Sequence, residues 1–388
     1  MDFAGARTAH VVGAGIAGLS SAIALACRGW SVRVFERSAE LRATGGGIGI
    51  TPNGMHALDE IGVGDAVRDR SVIQREGGVR APNGRWIART PLRFVEQRYG
   101  EPIRALPRIE LARALVAALP SGSIHYGSDA EVLATGDAVD PAMLRVNGRR
   151  LESGLLVGAD GIRSAVRRAM YPDHPGLRSC GTVSWRCVVP ADGLTLAAAE
   201  TWGRGLRFSI LPMPGERVHF SALARSPVRG ADGPGPLFGG WHAPIPDLLD
   251  RLSAGTLFFD EIEEICRPVE DFSMGRTVLV GDAAHPMTPN VGSANLALED
   301  AVELAHTVGG PLNWNRLRAG LGRYDRLRRP RSIRLSRMSR WMGRFAELSA
   351  PAAVAARDGG TWLGGLLPET VGRRSMDAMM GWSPPSAR

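Results

Sequence analysis

The stretch Ala9–Glu36, AHVVGAGIAGLSSAIALACRGWSVRVFE, decides the fold of this 388-residue chain. Ala9 to Val12 is a short apolar run typical of a buried strand, and Ile16 to Arg28 has the apolar repeat of a helix, which Gly29 ends. Trp30 to Glu36 alternates apolar and polar side chains and predicts a second strand. Strand, helix and strand in this order form a βαβ unit, which implies parallel strands joined by a right-handed crossover.

Three glycines with the spacing Gly13-x-Gly15-x-x-Gly18 lie between the first strand and the helix. Glycines in this position permit a tight turn, a close approach of the backbone to a pyrophosphate and close packing of the helix on the strand. The free N–H groups and the positive end of the helix dipole at the same point attract phosphate. Glu36 follows at about 20 residues, the spacing expected of a carboxylate that binds a ribose. The sequence therefore predicts a dinucleotide site on this unit.

Two further strands, each predicted to be buried, end in a turn that contains an aspartate. Gly158-Ala159-Asp160-Gly161 closes the apolar run Leu155 to Ala159, and Gly281-Asp282-Ala283-Ala284-His285-Pro286 follows the run Thr277 to Val280. A carboxylate at the carboxyl edge of a strand can accept a hydrogen bond from a ribityl hydroxyl, although a lone aspartate there is more often a turn former or a helix cap. Two such turns behind the glycine fingerprint favour FAD over NAD as the dinucleotide.

With these motifs in this order, the chain resembles the para-hydroxybenzoate-hydroxylase-like (class A) FAD-dependent monooxygenases, and most closely their salicylate-hydroxylase-like branch. The resemblance covers nearly the whole chain. Besides the motifs above, it rests on the Gly45–Gly49 loop with Pro52-Asn53, on Arg108-x-x-Leu111 and on Asn295-Leu-Ala-Leu-Glu-Asp300-Ala. It implies an enzyme that uses FAD, NAD(P)H and O2 to hydroxylate or epoxidise an aromatic or polycyclic small molecule through a C4a-hydroperoxyflavin.

The fold class that follows is α/β, with a Rossmann-type FAD-binding domain built on a parallel sheet, an inserted and mainly antiparallel substrate-binding sheet, and C-terminal helices. We expect the FAD-binding domain to comprise residues 1–70, 105–176 and 269–328. The substrate-binding sheet is expected from residues 71–104 and 177–268, and a C-terminal helical region from 329–388. From Trp314 onward the sequence predicts helices, interrupted at Pro330 and Pro351.

The resemblance assigns cofactor roles by position. The fingerprint glycines would hold the FAD pyrophosphate, Glu36 the adenosine ribose and Asp282 the ribityl chain. Arg108 would contact the phosphate or ribityl region, and Asp160 would support the fold and the approach of NAD(P)H. Arg108 and Arg42 could instead be surface charges at helix ends. The complete set of cofactor candidates is Gly13, Gly15, Ile16, Ala17, Gly18, Glu36, Arg37, Arg42, Gly47, Ile48, Arg108, Asp160, Gly281, Asp282, Pro289, Gly292, Ala294 and Asn295.

The substrate pocket is expected between the flavin and the second sheet. Arg207 and His219 are the catalytic candidates, because Leu206 to Leu211 and Arg217 to Phe220 look like adjacent strands of a hairpin. The arginine would hold an anionic or carbonyl group, and the histidine would accept a proton near neutral pH. Both could instead be polar residues of the sheet surface. Further wall candidates, which as residue types are more often plain core, are Trp185, Arg186, Trp202, Phe208, Ile210, Phe220 and Met287.

One loop departs from the family pattern. Relatives usually have Pro-x-x-Gly-x-Gly-x-Asn after the Gly-Asp motif, whereas Pro289 to Asn295 reads PNVGSAN, one residue shorter and without the second glycine. In relatives this loop and the start of the next helix face the flavin, where N–H groups stabilise negative charge. Either the helix starts earlier and keeps these donors in place, or the donors move.

Composition limits the other function classes. The net charge is +8, and all 47 basic residues are arginine. Because the arginines are dispersed, we interpret them as general surface charge and expect no nucleic-acid partner, although the charge could steer anionic substrates or NADPH. The four cysteines form no CxxC pair and no Cys/His cluster. They therefore predict no metal site and fit a reducing, cytoplasmic compartment.

The resemblance implies a small aromatic molecule and O2 as partners and NAD(P)H as a transient reductant. The single GxGxxG fingerprint is consistent with transient binding of NAD(P)H. We expect a monomer or homodimer without stable membrane association. Two alternatives stay open: a flavin-dependent dehydrogenase or oxidase on the same fold, and a non-enzymatic, flavin-bound regulatory protein. All three need FAD, so the FAD motifs do not discriminate among them.

Overall fold

The computed structural model describes residues 7–41, 46–226, 233–252, 257–310, 313–366 and 373–385. Within these ranges the strands form four sheets. Arg42, one of the cofactor candidates, is outside the described residues. Of the helices that these ranges contain, none combines the length and the apolar character needed to cross a bilayer.

The glycine fingerprint follows an interior strand of a six-stranded sheet, at the edge formed by the carboxyl ends of the strands. Its strands are β1 (Thr8–Val12), β2 (Ser31–Phe35), β8 (Ile124–His125), β12 (Leu155–Gly158), β18 (Ser273–Met274) and β19 (Thr277–Leu279). They lie in the order β18-β19-β12-β1-β2-β8, and all neighbours are parallel except β18 and β19. Because the carboxyl ends of β1, β12 and β19 are adjacent, the three predicted turns meet at one edge of the sheet.

Helices pack against this sheet and against one another. Helix α1 (Ile16–Ala26) packs against α9 (Ser293–Val308), and α1 buries small residues such as Ser20, Ala22 and Ala24. A continuous apolar core joins the sheet, α1, α9 and α10. The helices of this part of the fold are α1 (Ile16–Ala26), α2 (Pro52–Glu60), α3 (Gly64–Arg68), α5 (Arg108–Ala117), α6 (Ala165–Met170), α9 (Ser293–Val308) and α10 (Trp314–Ala346).

A second, seven-stranded sheet has the order β17-β13-β16-β15-β14-β5-β6, and only its β14–β5 pair is parallel. Its strands are β5 (Glu76–Arg80), β6 (Trp86–Pro91), β13 (Leu177–Pro190), β14 (Ala199–Trp202), β15 (Leu206–Met213), β16 (Arg217–Arg225) and β17 (Phe258–Ile265). One face of this sheet buries an aromatic cluster against α7 (Gly235–Phe238) and α8 (Ile245–Asp250). The parallel sheet, this mainly antiparallel sheet and the C-terminal helices confirm the predicted fold class.

Two three-stranded sheets complete the fold. One consists of β3 (Gly47–Ile50), β7 (Arg104–Pro107) and β4 (Val72–Ile73), and the other of β9 (Ala130–Ala134), β10 (Ala142–Val146) and β11 (Arg149–Ser153), which the sequence did not predict. We expected all of residues 71–104 in the second sheet, but only part of this segment belongs to it. The first strand of the segment, β4, pairs with β7 instead, and residues Arg93–Tyr99 form a helix, α4.

The C-terminal helices also differ from the prediction made from the sequence. Helix α10 is continuous through Pro330, so the boundary expected between residues 328 and 329 falls inside a helix. A proline inside a helix costs about 3 kcal/mol, and tertiary contacts offset this: two residues earlier, the fully buried Arg328 forms ion pairs with Glu299 and Asp300. The expected interruption at Pro351 is present, because α11 (Pro351–Leu366) starts there, and α12 (Arg373–Met380) follows.

Candidate active site

Two adjacent cavities lie along the edge where the sheets meet. A groove of about 640 Å³ follows the carboxyl edge of the parallel sheet from Gly13 past Glu36. A cavity of about 470 Å³ lies between β3, the start of α9 and the seven-stranded sheet. Arg108 and Arg186 line both spaces, so a molecule that occupies both would pass these two arginines.

The fingerprint glycines serve different purposes. Gly13 has a φ of +102°, and a Cβ there would lie 2.6 Å from the carbonyl oxygen of Ala159. A Cβ on Gly18 would lie 1.9 Å from the carbonyl oxygen of Gly13. At Gly15 a Cβ would meet no atom within 4 Å, and the residue lines the groove. Two glycines thus permit backbone packing, and the third leaves the start of α1 open to a phosphate.

Glu36 is held at the edge of the groove by the backbone. Its Oε2 accepts a hydrogen bond from Ala14 N at 2.8 Å, and its Oε1 accepts one from Ser38 N at 2.9 Å. Burial raises the pKa of Glu36, but these hydrogen bonds outweigh burial, so the pKa is lowered overall. The carboxylate is ionised at neutral pH and can accept hydrogen bonds from ribose hydroxyls.

The two motif aspartates differ in what they contact. The Asp160 carboxylate accepts hydrogen bonds from Ser164 Oγ and from Ala165 N at 2.6 Å, so it caps α6. It also lines the groove. Asp282 lies half-buried in the 3₁₀ turn Gly281–Ala283. Burial lowers the pKa of Arg108, and the negative charge of Asp282 raises it by less, so the net shift is downward.

A buried network of charges supports the turn at Gly281. The Gly281 N–H donates to Asp300 Oδ2 at 3.0 Å, and the same oxygen lies 2.6 Å from His285 Nε2. Arg328 donates to the other oxygen of Asp300 at 2.7 Å. Burial raises the pKa of Asp300, but the neighbouring His285 and Arg328 lower it by more, so the net shift is downward. The sequence pointed to the Asp300 segment but not to Arg328, because its partner lies 28 residues away.

The shortened loop leads directly into α9. Gly292 has a φ of +75°, and the helix begins at the next residue, Ser293. Ser293 and Ala294 line the 470 Å³ cavity, so the positive end of the helix dipole borders it. Asn295 joins this turn to β3: its Nδ2 donates to Gly49 O at 3.1 Å. The helix therefore starts before Asn295.

Asn290 fixes the middle of the same loop. Its Oδ1 accepts a hydrogen bond from Arg207 Nη1 at 2.9 Å, and its Nδ2 donates to the carbonyl of Ser339 on α10 at 2.9 Å. A Cβ on Gly343 would lie 2.8 Å from Asn290 Nδ2, so α10 approaches closely because a glycine stands there. Sequence reasoning did not single out Asn290, since its partners come from a distant strand and helix.

Strand register gives the seven-stranded sheet a polar floor towards the cavity. Arg186 pairs with Ser221, Ser221 with Ser209, and Ser209 with Glu200, so one cross-strand row contains four polar residues. All four line the cavity. His219 lies one row further and also lines it. Sequence reasoning missed Ser209, Ser221 and Glu200, although strict alternation along Leu206–Met213 and Arg217–Arg225 could have found the two serines.

His219 is buried and held in one tautomer. Its Nδ1 lies 3.1 Å from the carbonyl oxygen of Cys187 and therefore donates to it. Its Nε2 is then the acceptor, and the Ser221 hydroxyl donates to it at 3.1 Å. Burial lowers the pKa of His219 to about 4, so the ring is neutral at physiological pH. Gly46 and Gly47 cross the imidazole so closely that a Cβ on Gly46 would lie 2.6 Å from Nδ1.

The structure corrects several predicted wall residues. Trp185, Phe208 and Phe220 are fully buried on the opposite face of the sheet, in the aromatic cluster against α7 and α8. Ile210 borders the cavity but belongs to the same cluster. Met287 packs against α9 and α10. The physical reason is the two-residue period of a strand, which places alternate side chains on opposite faces.

Arg207 and Trp202 lie on the polar face but outside the cavity lining. Arg207 is buried beside Glu347, 3.1 Å from its carboxylate, and borders a separate space of about 180 Å³ against α10. Trp202 packs edge-on against Phe345. Both were expected at the substrate, and both instead connect the sheet to α10.

The other predicted cofactor residues divide between the two cavities. Ile16 and Arg37 line the groove, and Gly47, Ile48, Pro289 and Gly292 line the cavity. Ala17 packs against Gly281, where a Cβ would lie 2.7 Å from the Ala17 methyl. Cys27 is exposed at the end of α1.

Comparisons with known proteins agree with this arrangement. A family model described as an FAD binding domain matches residues 6–206 and 262–339. The chain is 33% identical over 356 residues to aurachin C monooxygenase/isomerase of Stigmatella aurantiaca, covering 87% of this chain and 91% of that protein. It is 35% identical over 355 residues to 3-amino-4-hydroxybenzoate 2-monooxygenase of Streptomyces cremeus, covering 85% of each.

A solved structure shares the whole architecture. The complex of Klebsiella pneumoniae HpxO with FAD and uric acid superposes with a TM-score of 0.86 at 26% identity, covering 98% of this chain and 97% of that one. With FAD-dependent monooxygenases and hydroxylases among its relatives, the chain is an FAD-dependent oxidoreductase of the same kind. It belongs to the FAD-binding-domain family of aromatic-hydroxylase-type flavin monooxygenases.

Proposed function

We propose that this enzyme hydroxylates a phenolic or related electron-rich ring, bound in the 470 Å³ cavity, with NAD(P)H and O2. One observation carries the proposal: the first turn of α9 and the hydrogen-bonded pair Ser221 and His219 line the same cavity. In the overall reaction the substrate ring, O2, NAD(P)H and one proton give the hydroxylated ring, NAD(P)⁺ and water. One atom of O2 enters the product, and the other leaves as water.

The residues present fit an extended FAD. Gly15 and the start of α1 would receive the pyrophosphate, Glu36 the adenosine ribose, and Arg108 the region where groove and cavity meet. The β3 backbone and the start of α9 would border the ring, with the helix dipole favouring negative charge there. When bound, FAD supplies electron transfer from NAD(P)H and the activation of O2.

Ser221 and His219 provide a path for the phenolic proton. A phenol bound at the floor can donate to Ser221 Oγ while the Ser221 hydroxyl donates to His219 Nε2, and the Nδ1–H stays on the Cys187 carbonyl. Since burial lowers the pKa of His219 to about 4, the imidazole is a weak base. The pair therefore polarises the phenol and moves its proton only as the ring reacts, which raises electron density where oxygen is added.

Names of relatives support a planar ring substrate. They include an aminohydroxybenzoate monooxygenase and a structure with uric acid. We place the enzyme in the cytoplasm, which its four cysteines, all free in the described residues, support. A small molecule and O2 are its proposed partners, with no nucleic acid and no stable membrane association, in a monomer or homodimer.

The test is a screen of phenols, aromatic acids and polycyclic metabolites for faster NADH or NADPH oxidation by the purified holoenzyme, with and without O2. We expect a ring hydroxylated only when O2 is present. His219→Ala should lower kcat/KM by more than about tenfold, whereas His306→Ala, an exposed histidine at the end of α9, should not. Substrate oxidation without O2 would indicate a dehydrogenase, stoichiometric hydrogen peroxide an oxidase, and no turnover at all a regulatory protein.

A further inference from the structure

Glu200 places a fixed carboxylate at one end of the polar floor. Its side chain lines the cavity and is 40% exposed. Oε2 accepts a hydrogen bond from Trp202 Nε1 at 2.7 Å. Oε1 makes no hydrogen bond to any part of the chain that the structure describes. One oxygen of Glu200 is therefore committed to the protein, and the other is available to a ligand.

The surroundings of Trp202 hold this carboxylate in place. Its ring packs edge-on against Phe345, with centroids 6.1 Å apart, and the guanidinium of Arg357 lies 5.5 Å from its centroid. Arg357 is itself buried, and it donates to the carbonyls of Gly203 at 3.1 Å and Ala346 at 2.6 Å. The orientation of Glu200 is thus set by β14 together with α10 and α11.

Glu200 shares its nearest guanidinium with a second carboxylate. Arg207 lies 3.1 Å from Glu347 and 3.7 Å from Glu200, so one guanidinium serves two carboxylates. The arginines that line the cavity, Arg108 and Arg186, lie at the other end of the floor, where the groove joins it. A ligand carboxylate placed beside Glu200 would meet a like charge, whereas an N–H or O–H donor would meet an acceptor.

The spacing of the floor fits a ring with two donors. Glu200 and Ser221 lie in one cross-strand row, separated by Ser209, which puts their backbones about 9.5 Å apart at two strand spacings. We propose that Glu200 selects substrates whose ring carries a neutral hydrogen-bond donor, an amine, amide or second hydroxyl, opposite the phenol that Ser221 binds. This proposal rests on the function proposed above.

The test compares two ligands of the same shape. Para-hydroxybenzamide and para-hydroxybenzoate differ only in that the amide donates hydrogen bonds and the carboxylate carries a charge. Their Kd values are measured by the perturbation of the visible absorbance of the bound flavin, without NAD(P)H, so turnover is not needed. We expect the benzamide to bind at least about tenfold more tightly to the holoenzyme.

Glu200→Gln keeps the size of the side chain and removes its charge. In this variant we expect the benzoate to gain affinity and the two Kd values to come within about threefold of each other. The matched control, Glu152→Gln at an exposed position of β11, should keep the wild-type ratio. Tighter binding of the benzoate by the wild type, equal effects of Glu200→Gln on both ligands, or no binding of either at millimolar concentration would each overturn the proposal. Tight benzamide binding without hydroxylation would refute the proposed function and leave the role of Glu200 standing.

Discussion

The two ends of the candidate active site are built by different means. At the groove, backbone groups do most of the work: Gly13 and Gly18 let strand and helix approach, and backbone N–H groups hold Glu36. At the sheet floor, side chains form the binding surface, and strand register places Ser221 and Glu200 in one cross-strand row. A site made by the backbone leaves a local sequence motif, whereas a site made by register does not.

The largest effect is expected where the backbone is most crowded. Gly18→Ala would place a Cβ 1.9 Å from the carbonyl of Gly13, so α1 must shift away from β1. We expect a loss of about 3 kcal/mol in the free energy of unfolding of the apoprotein, because overpacking against backbone cannot be relieved by a rotamer change. Chemical denaturation measures this.

Gly15→Ala sharpens the same comparison. Its Cβ would meet no atom of the protein within 4 Å, so the apoprotein should keep its stability while FAD binds more weakly. Gly360→Ala in α11, which also has open space around its Cβ, should change neither property. Equal destabilisation by Gly15→Ala and Gly18→Ala would contradict the separate roles given to the two glycines.

Glu36→Ala tests whether the groove holds the adenosine ribose. Removing the carboxylate should weaken FAD binding by about 1–3 kcal/mol, the cost of leaving polar groups without a partner. FAD titration of the apoprotein provides the measurement. If FAD retention is unchanged, the ribose does not bind at Glu36.

The groove could be predicted from the sequence better than the sheet floor could. The fingerprint, Glu36 and the two Gly/Asp turns could be recognised in the sequence, since each lies in a local motif that fixes backbone geometry. Phe208 and Phe220 were placed in the pocket but lie on the opposite face. Hydrophobicity alone did not show which set of alternate residues faces the cavity, because the sequence did not predict α7 and α8, which cover the opposite face.

Two buried histidines, one in the six-stranded sheet and one in the seven-stranded sheet, give a pH prediction. Burial lowers the pKa of His10 on β1, and Arg33 and His125 add to this, so its value is about 4. Both ring nitrogens of His10 are buried without a hydrogen-bond partner among the described residues, whereas His219 has two partners. The unfolded chain binds a proton near pH 6.5, and the folded state only near pH 4. Each histidine therefore costs no stability above pH 6.5 and an increasing amount as the pH falls towards 4.

His10→Leu should remove one of these costs. At pH 5 the proton-linked gain over the wild type is roughly 2 kcal/mol relative to the gain at pH 8. Urea unfolding at both pH values provides the measurement. A variant whose stability difference from the wild type is the same at pH 5 and pH 8 would show that His10 does not titrate in this way.

The smallest effect is expected at the loop that joins the two ends. Asn290→Ala removes the hydrogen bonds to Arg207 and Ser339, and so frees the loop before α9. Since the predicted pyrophosphate and ribose contacts lie elsewhere, FAD affinity should change by less than about 0.6 kcal/mol. The rate of flavin reduction by NAD(P)H should change by more than about threefold.

Insertion of a glycine after Ser293 is a second way to move this loop, and it should likewise change the reduction rate more than FAD affinity. Stopped-flow reduction and FAD titration are measured together on both variants. Release of FAD with an unchanged reduction rate of the bound fraction would contradict the position of this loop at the flavin ring.

The central claim is that the cavity above the polar floor is where oxygen is transferred to a ring. The most direct measurement is turnover under isotopically labelled O2 with NAD(P)H and a ring substrate found in the screen, followed by mass spectrometry of the product. We predict one labelled oxygen atom per product molecule in the wild-type enzyme and a markedly smaller yield with His219→Ala. Label that enters the product from water, or product formed at the same rate without O2, would contradict the claim.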